Sequence, residues 1–417
     1  MLSVAEAVAR VTRDVHPLEV IEVPLLEALG AVLAQPTVAP YTLPHWDNSA
    51  MDGYAVRSAD ILAATPNAPV TLRVLETVAA GAFPTRSVAR GEATRIMTGA
   101  PIPEGTDTVV RVEDTDGGLE RVTIRDARDA RKNVRPRGED FRAGSTVIEA
   151  GAEIAPAQIG VLATLGLERI AVHRRPLVAI LGSGDELVDL DRFDEVLAGR
   201  KIVSSNSYTL TALVRTAGGI ARPLGNASDT PESLRARLRE ARQGSDLIVT
   251  SAGASVGAFD YTKDVLASLG ASLDFWKVRM RPGAPIGFGR LDGIPWIALP
   301  GNPVSAMVTF ELFVRPVIRR LLGATRVFRR PVPVVLEEPV AIGARLTHFL
   351  RAVVGVRDDG SLGARLTGPQ GSGILTSMSR ANALLVVPED RLTVPAGERL
   401  NALLLGEQAQ LATTFAL

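Results

Sequence analysis

Asp246-Leu-Ile-Val-Thr-Ser-Ala-Gly-Ala-Ser-Val-Gly-Ala-Phe-Asp260 reads as a buried strand that empties into small residues and then an acid. Leu247, Ile248 and Val249 are the unbroken apolar run of a parallel strand covered on both faces. Ser251, Gly253, Ser255 and Gly257 follow, offering hydroxyls and N–H groups and letting a backbone approach a ligand closely. A second strand, Trp296 to Leu299, ends in Pro300, Gly301, Asn302, Pro303, Val304 and Ser305 and then opens a helix. A third, Leu177 to Leu181, ends in Gly182-Ser-Gly184 followed by Asp185 and Glu186. Each ending alone is compatible with an ordinary turn. Together they predict a ligand crevice at the carboxyl edge of a doubly wound parallel sheet.

Working outward, helices are expected over 207–217, 231–242, 262–269 and 303–322, alternating with these strands. Ser3 and Glu6 form a capping-box pattern for a helix to about Asp14, and Pro24 to Gly30 reads as a short helix. Between Trp46 and Asp140 the period shortens to strands: 70–75, 107–112 and 121–125, the last two flanking the hairpin-type turn Asp116-Gly117-Gly118. From about Arg330 the pattern is again β, over 332–340, 349–356, 383–387 and 400–405. The predicted organisation is therefore a helical segment (1–45 and 142–175), an inserted β domain (46–141), an α/β domain (176–328) and a C-terminal β domain (329–417).

The 417 residues carry 46 basic and 46 acidic side chains, so no basic excess points to nucleic acid or a membrane surface. Cysteine is absent, which excludes disulfides, thiolate metal sites and cysteine nucleophiles. The four histidines are scattered without metalloprotease spacing. No apolar run reaches the length of a membrane span, and the N-terminus lacks the basic start and apolar core of a signal peptide, so a cytoplasmic location is expected.

Several polar clusters could carry chemistry. Asp47-Asn-Ser-Ala-Met-Asp52 is either an Asx-type turn before a strand or a ligand loop in which Asp52 reaches out. Thr98-Gly99-Ala100 ends another strand, and Arg135-Pro-Arg-Gly-Glu-Asp140, with two arginines and two acids, is either a solvated charged loop or places Asp140 near a cation. Asp185 or Glu186, Asp229 and Asp260 all follow strand ends, where carboxylates beside anion-cradling loops suit a phosphorylated ligand with Mg²⁺. Asp229 alternatively caps the helix at Pro231. Lys277, Arg279 and Arg281 alternate with apolar residues and would share one strand face as an anion patch, or simply a solvated one. His348-Phe-Leu-Arg351 and the loop Gly368 to Gly373 add another cation and another Gly/Ser loop.

In this order DNSAMDGYAV (47–56), GEATRIMTGAPIP (91–103), RGED (137–140), SGDEL (183–187), SAGASVG with DYTK (251–263), LPGNPVSA (299–306) and QGSGILTS (370–377) resemble the molybdopterin molybdenumtransferases, to which the enzymatic region of gephyrin is related. The resemblance runs over almost the whole chain. It implies a four-part, elongated homodimer whose α/β domain is similar to molybdopterin adenylyltransferases and whose C-terminal domain is barrel-like. It implies insertion of molybdenum from molybdate into adenylylated molybdopterin, with Mg²⁺-dependent release of AMP, between the α/β domain of one subunit and the β domain of its partner.

By the same resemblance Asp52, Asp140, Glu186 and Asp260 are the catalytic acids, with Glu186, Asp229 and Asp260 toward the metal. Thr98, Ser251, Gly253, Ser255, Lys277, Arg281, Pro300, Gly301, Asn302, Ser305, Arg351 and Ser372 bind substrate. Molybdopterin adenylyltransferase and cofactor-accepting enzymes are the expected protein partners. The chain departs from the family at Ala252, Arg281, Ala284 and the stretch Val188 to Asp194. An inactive scaffold homologue and a tungstate-preferring paralogue are the alternatives.

Overall fold

The computed structural model describes residues 1–251 and 259–406, with only the backbone of residues 259–261. The chain divides into two compact units, residues 1–35, 150–163 and 167–417, and residues 36–149 with 164–166. No helix among the described residues is long and apolar enough to cross a membrane.

The larger unit is built on a six-stranded sheet in the order Ile220–Ala227, Leu177–Ser183, Leu247–Ser251, Ile294–Leu299, Gly287–Leu291 and Ser272–Phe275. The first four strands are parallel; the apolar runs predicted three of them, whereas Ile220–Ala227, with no continuous apolar run, was not expected. Alternate residues feed opposite faces. Val178, Ile180, Val249 and Ile297 pack with Leu210, Val214, Val304 and Val308 on one side. Ala179, Leu181, Ile248 and Trp296 pack with Leu234, Leu238, Val265 and Leu266 on the other. Helices on both faces make the sheet doubly wound.

The last two strands are antiparallel, which the alternation of strands and helices did not announce. Asp292 and Gly293, both at positive φ, turn Gly287–Leu291 back onto Ile294–Leu299, the geometry that an Asp-Gly pair favours in a two-residue hairpin. The helix after the opening strand spans Phe259–Ser268 and so begins three residues before the expected Thr262. Helix Val4–Arg13 carries both halves of its capping box, Glu6 N–H to Ser3 Oγ at 3.2 Å and Ser3 N–H to Glu6 Oε2 at 2.7 Å. It buries Ala7 and Val11.

Five C-terminal strands close on themselves: Thr347–Val356, Leu362–Leu366, Pro331–Leu336, Arg399–Leu404 and Ala383–Val387, the last pairing back to the first. Closure removes the exposed edges that an open sheet would present. Val334, Leu336, Leu350, Ala352, Leu385, Val387 and Ala402 fill the interior.

In the smaller unit a five-stranded sheet runs in the order Thr108–Arg111, Gly53–Val56, Glu92–Ile96, Val70–Val78 and Arg121–Ile124. The two strands expected to flank the turn Asp116-Gly117-Gly118 do not pair with each other; only the short stretch Asp114–Asp116 folds back on Thr123–Arg125, with Thr115 bridging Ile124. Thr108–Arg111 pairs with Gly53–Val56, whereas Arg121–Ile124 pairs with Val70–Arg73 at the opposite edge. Gly53 is required where it stands, because a Cβ there would run into the carbonyl oxygen of Val110.

Candidate functional site

In the larger unit the parallel strands end level with one another, Gly182 beside Ser251 and Ser251 beside Leu299. A cleft of about 400 Å³ opens at that edge, lined by Glu186, Ser251, Pro300, Gly301 and Asn302. Of the residues expected to bind, these five come together. Gly184 lies at φ +141°, and a Cβ there would sit 2.5 Å from Glu186 Oε2, so glycine is what lets that carboxylate fold back over the loop.

Ser204, Asn206 and Pro285 also line the cleft and were not singled out from the sequence. Helix Ser205–Thr216 starts two residues earlier than expected, which brings Asn206 into its first turn. The signal was the run Ser204-Ser205-Asn206-Ser207, the residue types that gather at helix starts. Asn206 is 8% exposed. Its Nδ2 donates to the Gly301 carbonyl at 2.8 Å, while its Oδ1 is buried with no hydrogen-bond partner among the described residues.

The loop of the closed barrel grips the same wall. Asn302 Nδ2 donates to Ser372 Oγ at 3.0 Å, and Val304 N–H donates to the Ser372 carbonyl at 3.1 Å. Ser372 thus holds the cleft wall. Arg351, expected to neutralise ligand charge, is instead 0% exposed. Its Nε donates to Ser377 Oγ and its Nη2 to the Gly371 carbonyl, both at 3.0 Å, leaving Nη1 without a partner among the described residues. Burial pushes its pKa below the usual guanidinium value. A side chain sealed from solvent on a barrel strand braces the loop at Gly371.

Other expectations need correction. Lys277, Arg279 and Arg281 do not share one strand: Ser272–Phe275 belongs to the α/β sheet, whereas Met280–Arg281 pairs with Thr347 and His348 of the barrel. Arg279 is paired with Glu389 at 3.3 Å, and Lys277 and Arg281 remain exposed. Asp229 does not cap the helix at Pro231, because Thr230 accepts from Ser233 N–H at 3.3 Å. Asp229 interlocks with Asp185 instead, each carboxylate accepting the other's backbone N–H at 3.2 Å. Ser305 is buried in helix Pro303–Thr309 and is not on the cleft wall. Gly253 and Ser255 lie outside the described residues, as does the side chain of Asp260. Among the described residues no group of three or more acids and histidines is placed to hold a metal.

The smaller unit gathers a second set. Thr98 donates both its N–H and its hydroxyl to Asp52 Oδ1 at 2.7 Å. Those two bonds, the backbone one first, hold the Asp52 carboxyl below the usual range. Asp47 Oδ1 accepts Arg137 N–H at 2.7 Å, and Asp140 is exposed, with its N–H donated to the Leu43 carbonyl.

A doubly wound sheet with a polar cleft at its carboxyl edge defines an α/β ligand-binding protein, since such sheets take ligands at the ends of their strands. Residues 2–166 match the family described as "MoeA N-terminal region (domain I and II)", residues 179–320 "Probable molybdopterin binding domain" and residues 333–405 "MoeA C-terminal region (domain IV)". The chain is 40% identical over 399 residues to molybdopterin molybdenumtransferase 2 of Mycobacterium tuberculosis, covering 94% of this chain and 96% of that one. It is 33% identical to the molybdopterin molybdenumtransferase of Staphylococcus aureus, covering 98% and 96%. The crystal structure of the molybdopterin biosynthesis MoeA protein from Pyrococcus horikoshii superposes with a TM-score of 0.82 at 28% identity, covering 97% and 100%. The chain belongs to the molybdopterin molybdenumtransferase family, transferases of molybdenum cofactor biosynthesis.

Proposed function

We propose that the protein transfers molybdenum from molybdate to adenylylated molybdopterin, with Mg²⁺-dependent release of AMP, as a cytoplasmic homodimer. The observation carrying this reading is the cleft in which Glu186 faces Ser251 and the Pro300–Asn302 loop. Hydroxyl and backbone N–H donors there suit phosphate oxygens, and a carboxylate at the mouth suits a hard cation beside them.

The donor set fits Mg²⁺, which takes one or two carboxylates, phosphate oxygens and water. Glu186 is the described carboxylate that lines the cleft, and Asp260 is its proposed companion. Asp229 is already committed to Asp185. Bound there, the ion would neutralise charge on the phosphates as the AMP bond breaks.

Asn206 and Asn302 hold the wall against which the ligand lies. Lys277 and Arg281, exposed, draw in the anionic substrates. The β unit of a second copy supplies Asp52, Thr98 and Asp140, with Asp52 kept ionised by its Thr98 bonds. Molybdopterin adenylyltransferase hands substrate on, and cofactor-accepting enzymes receive the product.

The test is AMP release from adenylylated molybdopterin by the purified protein with Mg²⁺, with and without molybdate. Molybdate-dependent release accompanied by active cofactor is expected. Tight substrate binding without release would overturn the proposal, and preference for tungstate would change the inserted metal.

A further inference from the structure

In the smaller unit a ladder of rings climbs from the interior to the surface. Phe141, 7% exposed, is the buried end. Tyr41 packs on it at a centroid distance of 5.6 Å and stacks on His45 at 4.8 Å; His45 meets Trp46 at 5.6 Å, and Trp46 meets the edge of Phe83 at 4.8 Å. The outer end stays open, with Trp46 38% and Phe83 59% exposed. Single exposed aromatics are ordinary, but a contiguous pair anchored inward through Tyr41 to Phe141 offers ring surface to a ligand.

The strand register brings the segments that carry that pair to the same end of the sheet as the Asp52–Thr98 couple. Gly53 lies opposite Ile96, and Val78 lies opposite Ile96 on its other side, so three segments leave the sheet at one edge. These are the stretch before Gly53 with Trp46 and Asp52, the stretch after Ile96 with Thr98, and the stretch after Val78 with Phe83. Backbone bonds tie the first two together, Gly99 N–H to the Ser49 carbonyl at 2.8 Å and Ile102 N–H to the Asp47 carbonyl at 2.9 Å. Arg135 pairs with Asn48 in the adjoining ribbon, and Arg137 donates its N–H to Asp47. Both arginines are exposed, and neither guanidinium has a carboxylate partner among the described residues.

We propose that Trp46 and Phe83 form a stacking wall for a flat heteroaromatic ring, with Arg135 and Arg137 placed for the phosphate attached to it. Aromatic faces accept any planar base, and guanidinium forks suit phosphate oxygens. The inference rests on the proposed substrate, which carries two such rings, a purine in its adenylate half and a pterin in the other. The shared chemistry is a ring bearing a phosphate.

The test titrates the full-length protein with AMP, with a phosphorylated pterin lacking adenylate, and with ribose 5-phosphate, following tryptophan emission and binding heat. At least one ring-bearing ligand should quench emission saturably, and the one that does identifies the half that stacks. Ribose 5-phosphate should not quench. Trp46→Phe should abolish the quench while keeping affinity within about threefold, and Trp46→Ala should weaken binding about tenfold or more, the scale of one base–aromatic stack. Phe83→Ala, at an exposed position, carries the same test if Trp46→Ala does not fold.

Unchanged affinity in both folded alanine variants would overturn the inference. So would a change from dimer to monomer in sedimentation with ligand binding intact, which would make the wall a subunit contact. Molybdate-dependent AMP release is read separately on the unmodified protein. Its absence with quenching intact would defeat the functional proposal alone, and its presence with affinity and turnover unchanged in Trp46→Ala would defeat the stacking wall alone.

Discussion

Replacing Arg351 by methionine separates two roles that its charge alone leaves confounded. Arg351 is wholly buried and makes two side-chain donations, to Ser377 Oγ and to the Gly371 carbonyl. Bonds from a charged donor are worth about 1.5–3 kcal/mol each, so Arg351→Met forfeits roughly 3–6 kcal/mol gross. Part returns, because a buried nitrogen with no partner among the described residues, here Nη1, costs about 1–3 kcal/mol and disappears with the guanidinium. Ser377 keeps its bond to the Ile374 carbonyl. A net destabilisation of about 2 kcal/mol follows, or roughly 5 °C at 2–4 °C per kcal/mol for a large cooperative unit.

The functional effect should be indirect. Gln370 bonds the backbone of Arg351 through both ends of its amide, so the loop to Ser372 is wrapped around this residue. Loosening it frees Asn302 and raises KM for the pterin substrate several-fold. Scanning calorimetry and steady-state AMP release measure the two effects. Ser372→Ala should reproduce the KM change with little loss of stability, since it removes only the Asn302 bond. An unchanged melting temperature in Arg351→Met, with molybdate dependence lost, would refute the brace and return Arg351 to direct contact with the anion.

Three further outcomes are expected. Thr98→Val removes one of the two bonds that lower the Asp52 pKa, so the acid limb of the pH–rate profile should move to higher pH; an unmoved limb would take Asp52 out of the ionised machinery. Burial pushes the carboxyls of Asp107 and Asp129 up, but bonds from Ser58 and Thr108, and from Arg111, hold both below the usual range. Their stabilisation is therefore complete above the unfolded value of about 4 and lost as pH falls through the native values, and melting curves of Asp107→Asn with Asp129→Asn should show a flatter acid limb. Gly53→Ala should cost about 1–3 kcal/mol by forcing Val110 away, read as a lower denaturant midpoint; an unshifted midpoint would mean the two strands part without strain.

Much of the larger unit was legible locally. Leu247 to Ser251, Leu177 to Ser183 and Trp296 to Leu299 announced themselves because a strand covered on both faces must be apolar throughout. Their small, polar endings marked the edge where Glu186, Ser251 and Pro300–Asn302 meet. The capping box at Ser3 and Glu6 was legible because donor and acceptor lie three residues apart. The turn at Asp292 and Gly293 carried an equally local signal that the expected strand–helix alternation obscured.

Other features depend on residues distant in the chain. Thr108–Arg111 chose Gly53–Val56 over its near neighbour Arg121–Ile124, a pairing decided by which faces bury together. Lys277 and Arg281 have the spacing of a single strand, but Arg281 was drawn into pairing with His348. Arg351 looks like a surface cation until the barrel closes around it and the Gly371 carbonyl takes its charge indoors. Sequence by itself determined burial patterns, turn chemistry and the family, because those act within a few residues or repeat along the whole chain. Only the tertiary structure decided strand partners, the burial of Arg351 and the grouping of Asn206 with Gly301, because each is set by contacts between residues far apart in the chain.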